Sequence, residues 1–188
     1  MESNCYLVWD QLANEGVVID PGDSGEYISE EIVREGFDLR SVLLTHGHFD
    51  HVLAALEIKL NFGVPIRLNE RDEFLYQKAP ESAKHWAGVG TGLVAKIDEY
   101  IKEGEEIVFG RNRLKVVETP GHTPGSVCFY EKREKMLFTG DLLFADGIGR
   151  TDFGYSDPEE MKKSLKKIER LVREGVEIWP GHGESFVS

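Results

Sequence analysis

Thr45-His46-Gly47-His48-Phe49-Asp50-His51 packs three imidazoles and a carboxylate into seven residues. His46 and His48 stand two apart, and residues so spaced do not share a helical face. They belong to a strand end or a loop, where both can reach one ion. The run Ser41-Val42-Leu43-Leu44 before them predicts a short buried strand, 42–45, that delivers His46 to the rim of a sheet. Val52, Leu53, Leu56 and Leu60 fall on one face of a helix predicted over 52–61, so Asp50 and His51 come at its start. Imidazoles crowded in this way repel one another once protonated, whereas a shared cation holds them neutral and together.

Three later segments have the same design. His122 sits in Thr119-Pro120-Gly121-His122-Thr123-Pro124-Gly125-Ser126, Asp141 in Phe138-Thr139-Gly140-Asp141, and His182 in Trp179-Pro180-Gly181-His182-Gly183. Each follows a strand-like run: Leu114-Lys115-Val116-Val117, Lys135-Met136-Leu137-Phe138 and Val176-Glu177-Ile178-Trp179. Strands that end at one rim project their loops into a common space. Glycine and proline beside each candidate ligand suit tight, fixed loops. A closed structural zinc cage is rich in cysteine, and none of these residues is Cys. Seven candidates (His46, His48, Asp50, His51, His122, Asp141 and His182) exceed the four that one zinc takes. They suit two metals about 3.5–4 Å apart, with Asp141 able to bridge through its two oxygens. His85 lies outside every motif and reads as an ordinary surface or core residue.

The rest of the chain supplies the scaffold. Strands are predicted at 5–9 and 17–19, then a helix over 25–35 with Ile28, Ile32 and Val33 at helical spacing and Gly36 at its stop. A strand at 64–68 follows, then helices over 70–77 and 93–102 separated by a loop containing Gly88, Gly90 and Gly92. The second half opens with strands at 106–109, 113–118, 126–131 and 135–139. Asp157-Pro158-Glu159-Glu160 then starts a helix with an N-cap, a proline at the first position and a capping-box glutamate. Met161, Leu165, Ile168 and Val172 continue it, Gly175 closes it, and 176–179 is a last strand. Each half reads strands first and helix after. That order predicts one domain, 1–188, with two sheets face to face and helices on both flanks.

Composition fits this picture. Of 188 residues, 40% are hydrophobic and 30% charged, which excludes a disordered or fibrous chain. No apolar run approaches the ~20 residues of a membrane helix. The net charge of −12 repels phosphate backbones, so nucleic acid is not an expected partner. Cys5 and Cys128 are far apart and read as buried core thiols rather than a disulfide pair. The opening residues 1–5 lack a basic start and an apolar core, so a cytoplasmic protein is expected.

His-x-His-x-Asp-His, a later Gly-His, a later Gly-Asp and a final Gly-His together resemble the metallo-β-lactamase superfamily, in order and across the whole chain. The resemblance implies a four-layer αββα sandwich with the metal site at the edge of its two sheets. It implies that His46, His48 and His122 hold one metal, that Asp50, His51 and His182 hold a second, and that Asp141 bridges them.

Gly147-Ile148-Gly149-Arg150-Thr151-Asp152-Phe153 narrows the resemblance to glyoxalase II-like hydrolases and the related persulfide dioxygenases. In glyoxalase II the matching region carries a basic residue that helps hold the glutathione carboxylate. Arg150 occupies that position, and it either binds substrate or braces the ligand loop together with Asp152. The sequence ends six residues after His182, so the similarity is to the short members without a helical C-terminal extension. The segment 79–95, with Trp86, is read as a lid over the site or a dimer contact. The expected activity is hydrolysis of a small-molecule thioester such as S-lactoylglutathione by a metal-bound hydroxide, with Asp50 orienting it and accepting a proton. The expected cofactor is two divalent ions, zinc first, with iron or manganese accommodated by the same ligands. A mononuclear iron persulfide dioxygenase using His46, His122 and Asp141 is the alternative, and a lactonase or other metallo-hydrolase a further one.

Overall fold

Alternating side chains build a core between two sheets. A computed structural model describes residues 2–90, 92–172 and 175–188. The first sheet has the order β1 (Tyr6–Asp10), β2 (Glu15–Ile19), β3 (Asp38–Leu43), β4 (Ile66–Leu68), β5 (Glu99–Tyr100). Between these strands run α1 (Gly25–Glu35), α2 (Phe49–Val52), α3 (Ala55–Phe62), α4 (Glu73–Gln77) and α5 (Ala79–Ala87). The later strands are β6 (Glu106–Phe109), β7 (Asn112–Glu118), β8 (Val127–Glu131), β9 (Met136–Gly140), the small pair β10 (Leu143–Phe144) and β11 (Gly147–Ile148), then β12 (Glu177–Pro180) and β13 (Phe186–Val187). The second sheet orders them β13-β12-β9-β8-β7-β6, and α6 (Pro158–Leu171) packs on its outer face.

Val17, Ile19 and Leu43 of the first sheet point inward onto Phe109, Leu114, Val116, Phe129 and Phe138 of the second. Val18, Val42 and Leu44 point the other way, onto Ile28 and Ile32 of α1 and Ile58 of α3. The second sheet repeats the division: Val117, Cys128, Leu137 and Ile178 turn outward onto Met161 and Ile168 of α6. This is the four-layer αββα sandwich. The parallel strands β2 and β3 are buried on both faces over Val17–Ile19 and Ser41–Leu43, whereas Asp38 and Arg40 at the start of β3 are exposed.

Strand direction gathers the loops. β9 and β12 are parallel, and β7 and β9 both pair antiparallel with β8. The C-terminal ends of β7, β9 and β12 therefore share one rim, and from it leave the chains carrying His122, Asp141 and His182. Across the sandwich, the Val127 N–H donates to the Thr45 carbonyl at 2.9 Å, bringing the His46 loop to the same rim.

Several boundaries differ from expectation. The helix predicted over 52–61 is two helices, α2 and α3, interrupted at Leu53 and Ala54. The predicted helix over 93–102 is absent: 93–98 has no regular structure and Glu99–Tyr100 is a strand parallel to β4. Ala95 and Ile97 are buried while Lys96 and Asp98 face outward, a period of two rather than 3.6. Asp98 fixes the edge by pairing with Lys59 and accepting from the Ile66 N–H at 2.8 Å. The segment 79–95 is not wholly a loop, because Ala79–Ala87 is helical; Pro80 lies in its first turn, where a missing N–H costs nothing. Asp157 caps α6 by accepting from the Glu159 and Glu160 N–H groups, while the Glu160 carboxylate pairs with Lys163 instead of completing the box. Thr91 and the residues between Val172 and the expected stop at Gly175 lie outside the described residues, as does Met1. Cys128 is buried, but Cys5 precedes β1 and is only partly covered. His85 is exposed on α5, edge-on to Trp86. No helix among the described residues is long and apolar enough to cross a membrane.

Candidate metal centre

The structure brings all seven predicted residues to one rim. His46 Nε2 and His48 Nδ1 stand 3.1 Å apart, and His122 Nε2 lies 3.0 Å from the same His48 nitrogen. Asp141 completes this group. Beside it, His51 Nε2 and His182 Nε2 are 3.3 Å apart, and Asp50 Oδ2 is 3.3 Å from His182 and 3.7 Å from His51. Asp141 lies between the groups: its Oδ2 is 3.4 Å from His122 Nε2 and its Oδ1 is 3.5 Å from His51 Nε2. Ligand atoms at about 2.0–2.1 Å from a tetrahedral metal stand about 3.3 Å from one another, so the spacings within each group suit metal coordination, with Asp141 adjoining both.

Each imidazole is fixed from behind. His122 Nδ1–H donates to the Arg150 carbonyl at 2.8 Å, and His182 Nδ1–H to the Glu2 carbonyl at 2.9 Å. His51 Nδ1–H donates to Asp20 Oδ2 at 3.1 Å. His46 Nδ1–H donates to Thr45 Oγ1 at 3.0 Å, and that hydroxyl donates onward to Asp20 Oδ2 at 2.6 Å. His48 is reversed: its Nε2 meets the Tyr155 hydroxyl at 2.8 Å, leaving Nδ1 for the centre. A backbone carbonyl or carboxylate can only accept, so the outer nitrogen carries the proton and the inner one presents a lone pair.

Charge balance also calls for a cation. Burial pushes the His46 imidazolium far out of range, helped by the neighbouring imidazoles. His48 is lowered to about 3, mainly by burial and then by His122. Burial also opposes protonation of His51, but Asp141, Asp20 and Asp50 outweigh it and raise the group to about 9. Burial would raise Asp50, yet its bond to His182 and the nearby His51 hold it well below the usual carboxylate range. Three carboxylates thus demand positive charge at the second group. Asp141 Oδ1 is buried with no hydrogen-bond donor among the described residues, an arrangement that costs free energy unless a metal takes that lone pair. The residues present fit a pair of divalent ions.

Sequence reasoning missed the supports. Asp20, in an Asp-Pro-Gly that reads as a turn, has a left-handed φ of 51° and turns its carboxylate under Thr45 and His51. Asp72 is fully buried and accepts from the Gly47 N–H at 2.9 Å, Thr123 Oγ1 at 2.7 Å and the Gly125 N–H at 2.6 Å, tying the His46 and His122 loops together. No local pattern marked it. Asn4 donates to the Pro180 and Gly183 carbonyls and so pins the His182 loop. Gly181 is needed for space: a Cβ there would lie 2.2 Å from Asp141 Oδ1.

Above the centre opens a cavity of about 640 Å³ lined by Phe49, Phe74, Trp86, Phe144, Phe153 and Tyr155, with Lys78 and Arg150 among its polar groups. Arg150 lies at the rim. Its Nε and Nη2 fork onto Asp152 at 2.9 and 2.8 Å, and it stands 4.7 Å over the Phe153 ring.

A sequence model of the metallo-beta-lactamase superfamily matches residues 1–182. The chain belongs to the metallo-β-lactamase superfamily. It is 38% identical over 183 residues to the hydroxyacylglutathione hydrolase GloC of Haemophilus influenzae, covering 97% of this chain and 86% of that protein. Among solved structures it resembles TTHA1623 in a di-iron-bound form, with a TM-score of 0.89 and 34% identity over 98% of this chain and 89% of that one. It resembles the BLEG-1 B3 metallo-beta-lactamase equally in shape, with a TM-score of 0.89 and 29% identity over 98% and 88% of the two chains.

Proposed function

We propose that this chain is a binuclear metal-dependent thioesterase acting on a small-molecule acyl thioester such as S-lactoylglutathione, within a cytoplasmic setting that matches its free cysteines. The observation that carries this reading is the complete second triad, Asp50, His51 and His182, beside the first group and joined to it by Asp141. The similarity to GloC supports the thioester. In this reading His46, His48 and His122 hold one ion, Asp50, His51 and His182 the other, and Asp141 bridges. Zinc suits the donor set, and iron, present in TTHA1623, suits it as well.

Two bound divalent ions would lower the pKa of water from 15.7 toward about 7 and polarise the substrate carbonyl. The chain's own residues do the rest. Asp50, ionised and partly open to the cavity, orients the attacking water and accepts its proton. Phe49, Phe144 and Phe153 exclude bulk water and strengthen every charge interaction at the reacting carbon. The thiolate is a good leaving group, so no strong acid is required opposite Asp50. Arg150 lines the rim of the cavity, with Nη1 as the edge that Asp152 does not occupy.

Metal content per chain, followed by S-lactoylglutathione hydrolysis under nitrogen on the same sample, tests the proposal. About two metals with turnover is expected. About one iron per chain, no thioester turnover, and oxygen uptake with glutathione persulfide would replace it with the dioxygenase, a reading that leaves Asp50, His51 and His182 without a task.

A further inference from the structure

Lys78, Ser82 and Trp86 follow one another at intervals of four and line the cavity together. Residues so spaced share a helical face. The row beside them, Ala79 and Ala83, is buried and seats α5 against the body of the protein. α5 thus turns a cation, a hydroxyl and an indole toward the metal-bearing rim. Trp86 lines the cavity and is 70% exposed.

The charges in the cavity are unequal in their freedom. Asp50 and Asp141 belong to the imidazole clusters. Arg150 has its fork filled by Asp152. Lys78 is the one cation lining this cavity that has no carboxylate partner among the described residues. The chain carries a net charge of −12, so an anionic substrate approaches against the overall field, and a free cation on the cavity wall adds to the positive charge that bound ions would supply at its floor. An ammonium on a long stem, beside a hydroxyl donor and an aromatic face, fits a carboxylate attached to an amide-rich or apolar body.

We propose that Lys78, with Ser82 and Trp86, is the recognition ledge for a carboxylate on the thiol portion of the substrate, making anionic thioesters the preferred class. The inference rests on the thioesterase reading for its reaction and on the cavity alone for its binding. Lys78 selects substrate and takes no part in bond breaking.

The test uses the metal-loaded full chain and two lactoyl thioesters, one of glutathione and one of the neutral thiol N-acetylcysteamine. Binding of S-methylglutathione, a thioether that cannot be hydrolysed, is measured by calorimetry alongside. Lys78→Met is expected to raise KM for the glutathione thioester about tenfold, as loss of one charge-assisted contact at an exposed site would do. KM for the neutral thioester, kcat for both and metal content stay unchanged. S-methylglutathione affinity falls by the same factor, and Lys78→Arg restores most of it. Equal effects on both thioesters, or none on either, would overturn the ledge while leaving the hydrolase intact. Lys78-dependent binding of S-methylglutathione without turnover of either thioester would uphold the ledge and remove the hydrolase. Neither binding nor turnover would remove both.

Discussion

Asp20 Oδ2 accepts from His51 Nδ1 at 3.1 Å, and both side chains are buried. The same oxygen receives the Thr45 hydroxyl that supports His46, so one carboxylate orients an imidazole of each group. Asp20→Ala frees both rings to rotate and removes negative charge behind the second triad. Outer-shell partners of this kind are worth about 10–100-fold in metal affinity. Competition titration with a chelator is expected to show that loss at the His51 side first. His85→Ala, on the outside of α5, leaves affinity unchanged.

Asp141 stands against both groups, with Oδ2 3.4 Å from His122 Nε2 and 3.6 Å from His182 Nε2 and Oδ1 3.5 Å from His51 Nε2, which makes it the residue whose loss reaches both. On the binuclear proposal, Asp141→Ala is expected to drop metal content from about two per chain to below one, together with activity. Asp50→Ala removes a ligand from the second triad alone. Elemental analysis of the two variants, purified side by side, separates a bridging carboxylate from two independent sites.

Much of this centre was legible because metal chemistry is written in residue types. Imidazoles and a carboxylate in His46–His51, and Gly-flanked singles at His122, Asp141 and His182, need no partner to be noticed. Their supports were not, because they act through geometry. Asp72 reaches Gly47, Thr123 and Gly125 from 25, 51 and 53 residues away. Similarly, the helix α1 was readable from its own periodicity, whereas β5 exists only because β4 offers a parallel edge and Lys59 holds Asp98. The segment 79–95 reads as a loop but is helical over Ala79–Ala87, since its one proline, Pro80, lies in the first turn and Gly88 caps the end.

Asp72 predicts a stability effect that metal does not rescue. Asp72→Ala leaves the Gly47 and Gly125 N–H groups and the Thr123 hydroxyl without their buried acceptor. Each orphaned group costs about 1–3 kcal/mol, so the variant is expected to lose several times that of Thr123→Val, which removes one donor. Urea unfolding, run with metal and with chelator, is expected to give the same ranking in both conditions.

Arg150 and Asp152 hold each other in a fork whose two side chains are both exposed. Arg150→Ala keeps the backbone carbonyl that fixes His122, so metal content is expected to persist. If the guanidinium meets substrate, Arg150→Ala raises KM for an anionic thioester and Asp152→Ala lowers it by freeing the fork. If the pair only braces the loop, the two substitutions act alike. Steady-state KM for both variants distinguishes the roles.

At the far end of β1, Asp10 accepts from Arg111 Nε and Nη2 at 2.8 Å and from three backbone N–H groups. The Arg111 fork holds the Asp10 carboxyl far below the usual range, although burial opposes this. A carboxyl depressed in the folded state adds stability above its unfolded pKa of about 3.9. That stability is lost as pH falls through the folded value. Asp10→Asn is therefore expected to be less stable than the parent at neutral pH, with the gap closing steadily in acid below about pH 4. Urea midpoints taken across that range for the parent, Asp10→Asn and Arg111→Met check it. A gap that stays constant with pH would assign the effect to packing of Asp10 rather than to its charge.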